Sequence, residues 1–336
     1  MDPQLQASSS RSITQRDLER MLLDEAAEPK ALPFSLLEKI TNNFYYKNEI
    51  GSGGFAVVYK GMLKNGEVAV KRLRDAYKYE KEFLREVESL MKVTWFRQHM
   101  HMIEIIYHVV SYGTMEIKEV KCLSYALNPL THLSYVDTSC GTEWKTCYHI
   151  IKGICEGLHY LHSINIMHLD LKPSNILMDD NMIPKITDFG VSRNFEEMQT
   201  QTIATKMIGT IGYLAPEFHT NVITRKFDLY SLGIIIMEIL TGKRESQPVE
   251  SVLESWNSRL ELSQGNQHYE QIRACAEIGI ECIQDDPTKR PANMTHIMDR
   301  LAETERTEAS AYIFKIHMLG ICSKCLLHNT VKLILK

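Results

Sequence analysis

The sequence predicts an α+β fold in two lobes: a small strand-rich N-terminal lobe over residues 31–126 and a larger, mainly helical C-terminal lobe over 127–303. Three observations predict it. From Phe44 to Leu73 the apolar residues come in short strand-like runs, and Lys64-Asn65-Gly66-Glu67 supplies an Asn-Gly hairpin turn between two of them. Beyond about Ala126 the spacing becomes helical, as in Trp144, Cys147, Ile151, Ile154, Leu158 and Leu161. The composition, 44% hydrophobic and 24% charged over 336 residues, is that of a globular chain with a large core.

The elements follow in order. Residues 1–30 read as a flexible leader, although Arg16 to Glu28 carries Leu18, Leu22 and Leu23 among its charges and suits a short helix. Ser35-Leu36-Leu37-Glu38 has the capping-box spacing, so Ser35 is expected to cap a helix that ends near Thr41, where Asn42-Asn43 breaks it. Ile50 closes a strand, a Gly-rich turn follows, and Val57-Val58-Tyr59 resumes the strand. Val68-Ala69-Val70-Lys71 is the next strand. Tyr77 to Lys92 reads as an amphipathic helix with Phe83, Val87, Leu90 and Met91 on one face. Residues 227–241 are apolar on nearly all sides, which marks a buried helix, and Gly242 suits its C-terminal end. Further helices are expected near 249–262, 269–284 and 292–303. Residues 304–336 form an atypical tail, basic and apolar, with no Asp or Glu from Ala311 onward.

A formal net charge of −4 excludes strong non-specific polyanion binding as the main activity. The eight cysteines are scattered through a long chain with no signal peptide, which favours reduced thiols and a cytoplasmic setting. No apolar run approaches the roughly 18 residues of a membrane span. The start Met1-Asp2-Pro3 lacks the glycine that N-myristoylation needs.

The first chemical signal is Ile50-Gly51-Ser52-Gly53-Gly54-Phe55-Ala56-Val57-Val58. Glycines let backbone amides approach phosphate oxygens closely. Alone, the segment is equally a flexible hairpin loop, and Ala56 stands where a third motif glycine would be. Its context is more specific: the loop lies between two strands, Lys71 sits on a third, and a helix carrying Glu86 follows. A dinucleotide-binding fold would instead run the loop directly into a helix. Glu88 is the nearest competitor to Glu86 as a partner for Lys71.

The second signal is stronger. His168-Leu169-Asp170-Leu171-Lys172-Pro173-Ser174-Asn175 is followed by Asp188-Phe189-Gly190, Gly209-Thr210-Ile211-Gly212-Tyr213, Ala215-Pro216-Glu217, Asp228-Leu229-Tyr230-Ser231-Leu232-Gly233 and Arg290-Pro291. Five such segments in this order, with 209–217 taken as one, resemble the protein kinase signature set. Over roughly residues 30–303 the chain resembles the plant receptor-like Ser/Thr protein kinases of the IRAK/Pelle type. The Lys-Pro-Ser-Asn form of the loop is similar to Ser/Thr rather than tyrosine kinases.

That resemblance implies an ATP-dependent phosphotransferase with a role for each matching residue. Lys71 would contact the α- and β-phosphates and pair with Glu86. Asp170 would accept the proton of the substrate hydroxyl, and Lys172 would steady the γ-phosphate. Asn175 and Asp188 would hold Mg²⁺, with Mn²⁺ as an alternative. Ile50, Gly51, Ser52, Gly53, Gly54 and Phe55 would cover ATP, and Val58, Ala69 and Leu177 would sandwich its adenine, although plain core packing explains these three equally well. Thr210 would line the substrate hydroxyl site, and Thr202 and Thr205 belong to the activation segment. Glu217 and Arg290 would pair, and Asp228 would anchor the catalytic loop. The implied partners are protein substrates and a membrane receptor or co-receptor, with no nucleic acid. The implied location is the cytoplasm or the periphery of the plasma membrane.

Two stretches depart from the family. Residues 94–135, including all of the divergent segment 94–126, show no clear adenine-binding hinge, and the histidines there, His99 and His101 among them, read better as polar loop than as metal ligands. The tail beyond 311 is foreign to the family and contains an isolated Cys322-Ser323-Lys324-Cys325. It reads either as a membrane-surface segment or, with 94–135, as an altered reading frame. A scaffold with an impaired nucleotide hinge is therefore the alternative to an active enzyme.

Leu169 stands where many kinases place Arg before the catalytic Asp. Without that guanidinium, phosphate on the activation segment has less to dock against. Phosphorylated and phosphatase-treated protein should therefore differ in kcat/KM by less than about tenfold. A rise of several hundredfold on phosphorylation would refute the idea.

Overall fold

The computed structural model describes residues 13–23, 32–54, 56–75, 78–94, 105–106, 122–127, 131–133, 143–179, 181–194, 202–203, 209–220, 222–260 and 265–318. Phe55, Thr205, nearly all of 94–135 including His99 and His101, and Cys322 to Cys325 lie outside the described residues. The structure forms two compact units, one drawn from Met1–Val136, Tyr160–Thr202 and Ile208–Thr210, the other from Asp137–His159, Ile203–Met207 and Ile211–Lys336. As the sequence predicts, the N-terminal part is strand-rich and the C-terminal part helical.

In the first unit, β1 (Glu49–Ser52), β2 (Ala56–Leu63), β3 (Gly66–Leu73), β4 (Ile105–Ile106) and β5 (Cys122–Leu127) form one antiparallel sheet in the order β1-β2-β3-β5-β4. The Lys64–Asn65 turn joins β2 to β3 and sets Val58 opposite Lys71 and Leu63 opposite Gly66. On β3, Val68 and Val70 point to one face and Ala69 and Lys71 to the other, by the two-residue alternation of a strand.

The Val68 and Val70 face is covered by two helices, α1 (Gln15–Met21) and α2 (Phe34–Thr41). Leu18, Leu37, Ile40, Phe44, Val68 and Val70 form one buried cluster there. Residues 13–23, expected as part of a flexible leader, are therefore packed structure. The capping box belongs to this helix: the Thr14 amide and hydroxyl donate to Asp17 Oδ2 at 3.0 and 2.7 Å, and the Asp17 amide returns to Thr14 Oγ1 at 3.4 Å. Glu19 then ties α1 to the hairpin turn, accepting the Lys64 amide at 3.0 Å on Oε1 and Asn65 Nδ2 at 2.9 Å on its carbonyl.

Ser35 does not cap α2. Extended Pro33 is the N-cap, and its carbonyl accepts the Leu36 amide at 3.0 Å, so Ser35 already lies inside the first turn. The earlier start brings the Phe34 ring to 5.6 Å from that of Phe44. Asn42, Asn43 and Phe44 all have φ between 52 and 55° and end the helix in the left-handed region. For bulky Phe44 that backbone is unusual. It is held by its amide donating to Thr41 Oγ1 at 3.1 Å and by ring packing on Phe34 and Tyr59.

The same unit carries α3 (Glu80–Thr94). It also holds a three-stranded sheet of β6 (Thr131–His132), β8 (Ile176–Met178) and β9 (Pro184–Ile186), and a pairing of β7 (Ile166–Met167) with β10 (Arg193–Asn194). These short strands frame the loops at 168–175 and 187–192.

Helix α4 (Trp144–Ser163) precedes β7. The second unit also holds α5 (Lys226–Thr241), α6 (Val249–Asn257), α7 (Gly265–Cys282) and α8 (Met294–Met318). Helix α8 thus runs well past residue 303, into the segment read as tail. Trp256 is buried against Trp144 at 5.3 Å, and its indole N–H donates to the Leu240 carbonyl at 2.9 Å. Cys147, Cys155, Cys275 and Cys282 are free and buried, and burial pushes their thiols up, Cys147 to about 11. Gly242 ends α5 at φ 71°.

At Gly233 α5 packs closely on α7: an added Cβ would lie 2.6 Å from Cys282 Cβ and 2.8 Å from the Gly279 carbonyl. Helix propensity alone would make Gly233→Ala stabilising by about 1 kcal/mol. Overpacking of this kind costs about 1–3 kcal/mol, so the net effect should be destabilising. A raised melting temperature for the variant would show that the helices separate freely.

Candidate active site

The site is assembled within the first unit. Strand alternation turns Lys71 away from the helix-covered face and leaves it 7% exposed. On α3, Phe83, Glu86 and Ser89 recur every three residues and share a buried face. Lys71 Nζ donates to Glu86 Oε1 at 2.8 Å and Oε2 at 3.0 Å, and to Asp188 Oδ1 at 2.7 Å. Glu88 is exposed, so the choice between the two glutamates is made by helix phase.

Burial works against the Lys71 charge, but Asp188 and then Glu86 more than offset it and raise its pKa. Burial likewise works against the Asp188 charge, and Lys71 holds that carboxyl below the usual range. The Lys71 ammonium and the Asp188 carboxylate are therefore both charged.

The loop at 168–175 forms a second polar cluster. Asp170 Oδ2 accepts Lys172 Nζ at 2.7 Å and Asn175 Nδ2 at 3.2 Å, while Oδ1 accepts the Thr210 hydroxyl at 2.5 Å. Lys172 Nζ also reaches Thr210 Oγ1 at 2.7 Å. Asn175 Nδ2 donates to the Asp170 carbonyl at 2.8 Å. Both partners of the Asn175 amide nitrogen are pure acceptors, so the orientation of the amide is fixed. Its oxygen has no hydrogen bond among the described residues, nor has Asp188 Oδ2. These two hard oxygens suit a divalent cation that takes its remaining ligands from phosphate and water.

His168 joins the two clusters. The Asp170 amide donates to its Nδ1 at 3.3 Å, so Nε2 carries the proton and donates to the Thr187 carbonyl at 2.8 Å. The Thr187 amide donates to the Asn175 carbonyl at 2.8 Å. The His168 ring meets Phe189 edge-on at 5.1 Å. Leu169 and Asp188 hold φ of 65 and 64°, an uncommon backbone for such residues and typical of functional loops.

Gly51 and Ser52 lie in β1 opposite Val58 and Val57, and the Gly53 amide donates to the Ala56 carbonyl at 2.9 Å. Ile50 and Gly54 are exposed. Val58, Ala69 and Lys71 share one face of β2 and β3, by cross-strand pairing and alternation. Leu177 is placed on the separate sheet, half-buried in β8. Sequence reasoning missed Arg74, which donates through Nε to the Gly53 carbonyl at 3.1 Å and through a guanidinium nitrogen to Ser52 Oγ. A strand-end Arg carries no local signal for such a contact. Thr202 lies in the short strand β11 (Thr202–Ile203).

In the second unit Arg290 grips Glu217 with two bonds, Nη1 to Oε1 at 2.6 Å and Nη2 to Oε2 at 2.7 Å. Its remaining N–H groups go to the carbonyls of Gln284, Lys226 and Asp285 at 2.8, 3.0 and 3.3 Å. All five guanidinium donors are thus used. Asp228 is fully buried in the first turn of α5. Ser231 Oγ donates to the Tyr213 carbonyl at 2.8 Å, which fixes the segment before Glu217 on α5.

The protein kinase domain family matches residues 44–301. The chain is 36% identical over 313 residues to cysteine-rich receptor-like protein kinase 24 of Arabidopsis thaliana, covering 84% of this chain and 48% of that protein. It is 38% identical over 288 residues to putative cysteine-rich receptor-like protein kinase 30 of the same plant, covering 77% and 40%. It is 37% identical over 287 residues to an Arabidopsis G-type lectin S-receptor-like serine/threonine-protein kinase, covering 79% and 34%. The chain spans less than half the length of these relatives.

Removing Arg290 would strand the Glu217 carboxylate. Such losses run to about 3–5 kcal/mol for a fully buried pair, and Glu217 keeps 14% exposure, so Arg290→Ala should fall near the lower end. Arg290→Lys should recover only part of it, because an ammonium cannot make the two-bond grip. Melting curves that match the parent for both variants would show that the pair contributes nothing.

Proposed function

The chain belongs to the protein kinase family, and we propose that it transfers the γ-phosphoryl group of Mg²⁺-ATP to Ser and Thr hydroxyls of protein substrates. The observation that carries this reading is the buried Lys71 ammonium held between Glu86 and Asp188. A cation fixed in this way faces phosphate charge without reorganisation at the moment of transfer.

The residues divide the work as follows. Lys71 binds the α- and β-phosphates, and Glu86 keeps it in place. Asn175 Oδ1 and Asp188 would hold a divalent ion, whose charge would offset that of the phosphates. Asp170 orients the attacking hydroxyl and takes its proton as the new oxygen–phosphorus bond forms and the bond to ADP breaks. Thr210 already donates a hydroxyl to Asp170 Oδ1, so an aliphatic hydroxyl fits this carboxylate. Lys172, bonded to both Asp170 and Thr210, places positive charge beside the transferring group.

The relatives' names support a receptor-like, Ser/Thr-directed role, with protein substrates and an upstream membrane receptor or co-receptor as partners. No helix among the described residues is long and apolar enough to cross a membrane. A cytoplasmic protein, or one peripheral to the plasma membrane, is the setting this reading assigns. The scaffold alternative gains nothing from a site in which Lys71, Glu86, Asp170, Asn175 and Asp188 are all in bonding positions.

Lys71→Met should lower autophosphorylation by at least about 10²-fold, the scale for one preorganised donor. Asp188→Asn should abolish transfer across a Mg²⁺ series, since a neutral amide is a weaker ligand for a hard dication. Activity equal to the parent in the first variant, or an unshifted metal dependence in the second, would overturn these assignments.

A further inference from the structure

Two buried serines that the catalytic roles leave unused lie beside the Lys71 centre. Ser89, on α3 one turn beyond Glu86, is 6% exposed, and Ser192, just after Asp188-Phe189-Gly190, is 1% exposed. Their hydroxyl oxygens are 2.6 Å apart. Ser192 Oγ also donates to the Phe189 carbonyl at 2.8 Å. A hydroxyl has one proton. Ser192 gives its proton to Phe189, so Ser89 gives its own to Ser192, and the chain runs Ser89 to Ser192 to Phe189.

This chain joins the two segments that carry the carboxylates of Lys71. Glu86 and Ser89 are three residues apart on one helix face. Asp188 and Ser192 flank Phe189 on the other segment. Helix α3 is therefore tied to the 188–192 segment twice, once through the Lys71 charge and once through neutral hydroxyls. The two ties differ in what becomes of them during turnover. Phosphate would compete for Lys71 and a divalent cation for Asp188, so the 2.7 Å bond between them is the tie that ligands can weaken. The hydroxyl chain involves neither ligand and persists.

We propose that Ser89 and Ser192 are positioning residues, which hold α3 so that Glu86 stays on Lys71 after Asp188 has turned to the metal. The proposal rests on the phosphotransfer reading for its kinetic consequence, but not for the placement of α3 itself.

The test uses Ser89→Ala, Ser192→Ala and the double variant of the full chain, with Glu86→Gln as a background. Each single variant should lower kcat about tenfold while KM for ATP moves by about twofold or less, the pattern of an interaction that matters in the transition state. The double variant should be no worse than the poorer single one, because the chain acts as a unit. Ser89→Thr, which keeps the hydroxyl, should restore most of kcat. In the Glu86→Gln background, Ser89→Ala should add almost nothing. A persistent tenfold loss there, or an unchanged kcat with a lowered melting temperature, would overturn the proposal by making the pair structural only. Hydrogen exchange of the α3 amides is the independent readout: Ser192→Ala should speed it about tenfold. Unchanged exchange in both single variants sinks the proposal even if the parent protein transfers no phosphate. Absence of transfer by the parent, with α3 exchange still accelerated, would instead sink only the functional reading.

Discussion

A buried ammonium organises the first unit. Lys71 is 7% exposed, and taking one such charge out of water has a penalty on the order of several kcal/mol even after relaxation. The charge is stable there only because two carboxylates reach it, one from α3 and one from a loop 117 residues further along the chain. Each needs its own support. Glu86 depends on the phase of α3, and Phe83 and Ser89 bury the same face. Asp188 depends on a left-handed backbone at φ 64° and on the His168–Thr187 bond beside it.

The second unit solves the same problem with a different cation. Arg290 has a side chain with no exposure, and two carboxylate oxygens and three carbonyls take its five donors. Lys71 is an ammonium, whose three donors go to the oxygens of two carboxylates. A planar guanidinium suits a joint that is meant to stay closed.

The strand that presents Lys71 is also backed by chain outside the kinase-family match at 44–301. Helices α1 and α2 cover Val68 and Val70, and Leu18 and Leu37 in that layer have no exposure. One face of β3 thus packs against the two helices and the other presents Lys71. The alternation of a single strand connects a leader segment to the position of the buried Lys71 ammonium.

Much of this was legible in the sequence, because the signals involved are local. The Asn65-Gly66 turn, the strand alternation, the all-round apolar α5 and the loop motifs each depend on residues a few positions apart. The pairing of Lys71 with a helix glutamate was readable through family resemblance, but not the reason for Glu86 over Glu88. Two residues are more than half a helix turn, so only packing decides which carboxylate turns inward. Capping went the same way: Ser35 had the right spacing, yet the helix starts at Phe34 with Pro33 as its N-cap and the Phe34 ring stacked on Phe44, and the capping box formed at Thr14 instead. Ser89 with Ser192, Arg74 with the Gly-rich loop, and the carbonyls around Arg290 left no trace in any window of sequence. A serine or an arginine has the same local appearance whether water or a distant backbone takes its hydrogen bonds, and only the tertiary fold brings that partner within reach.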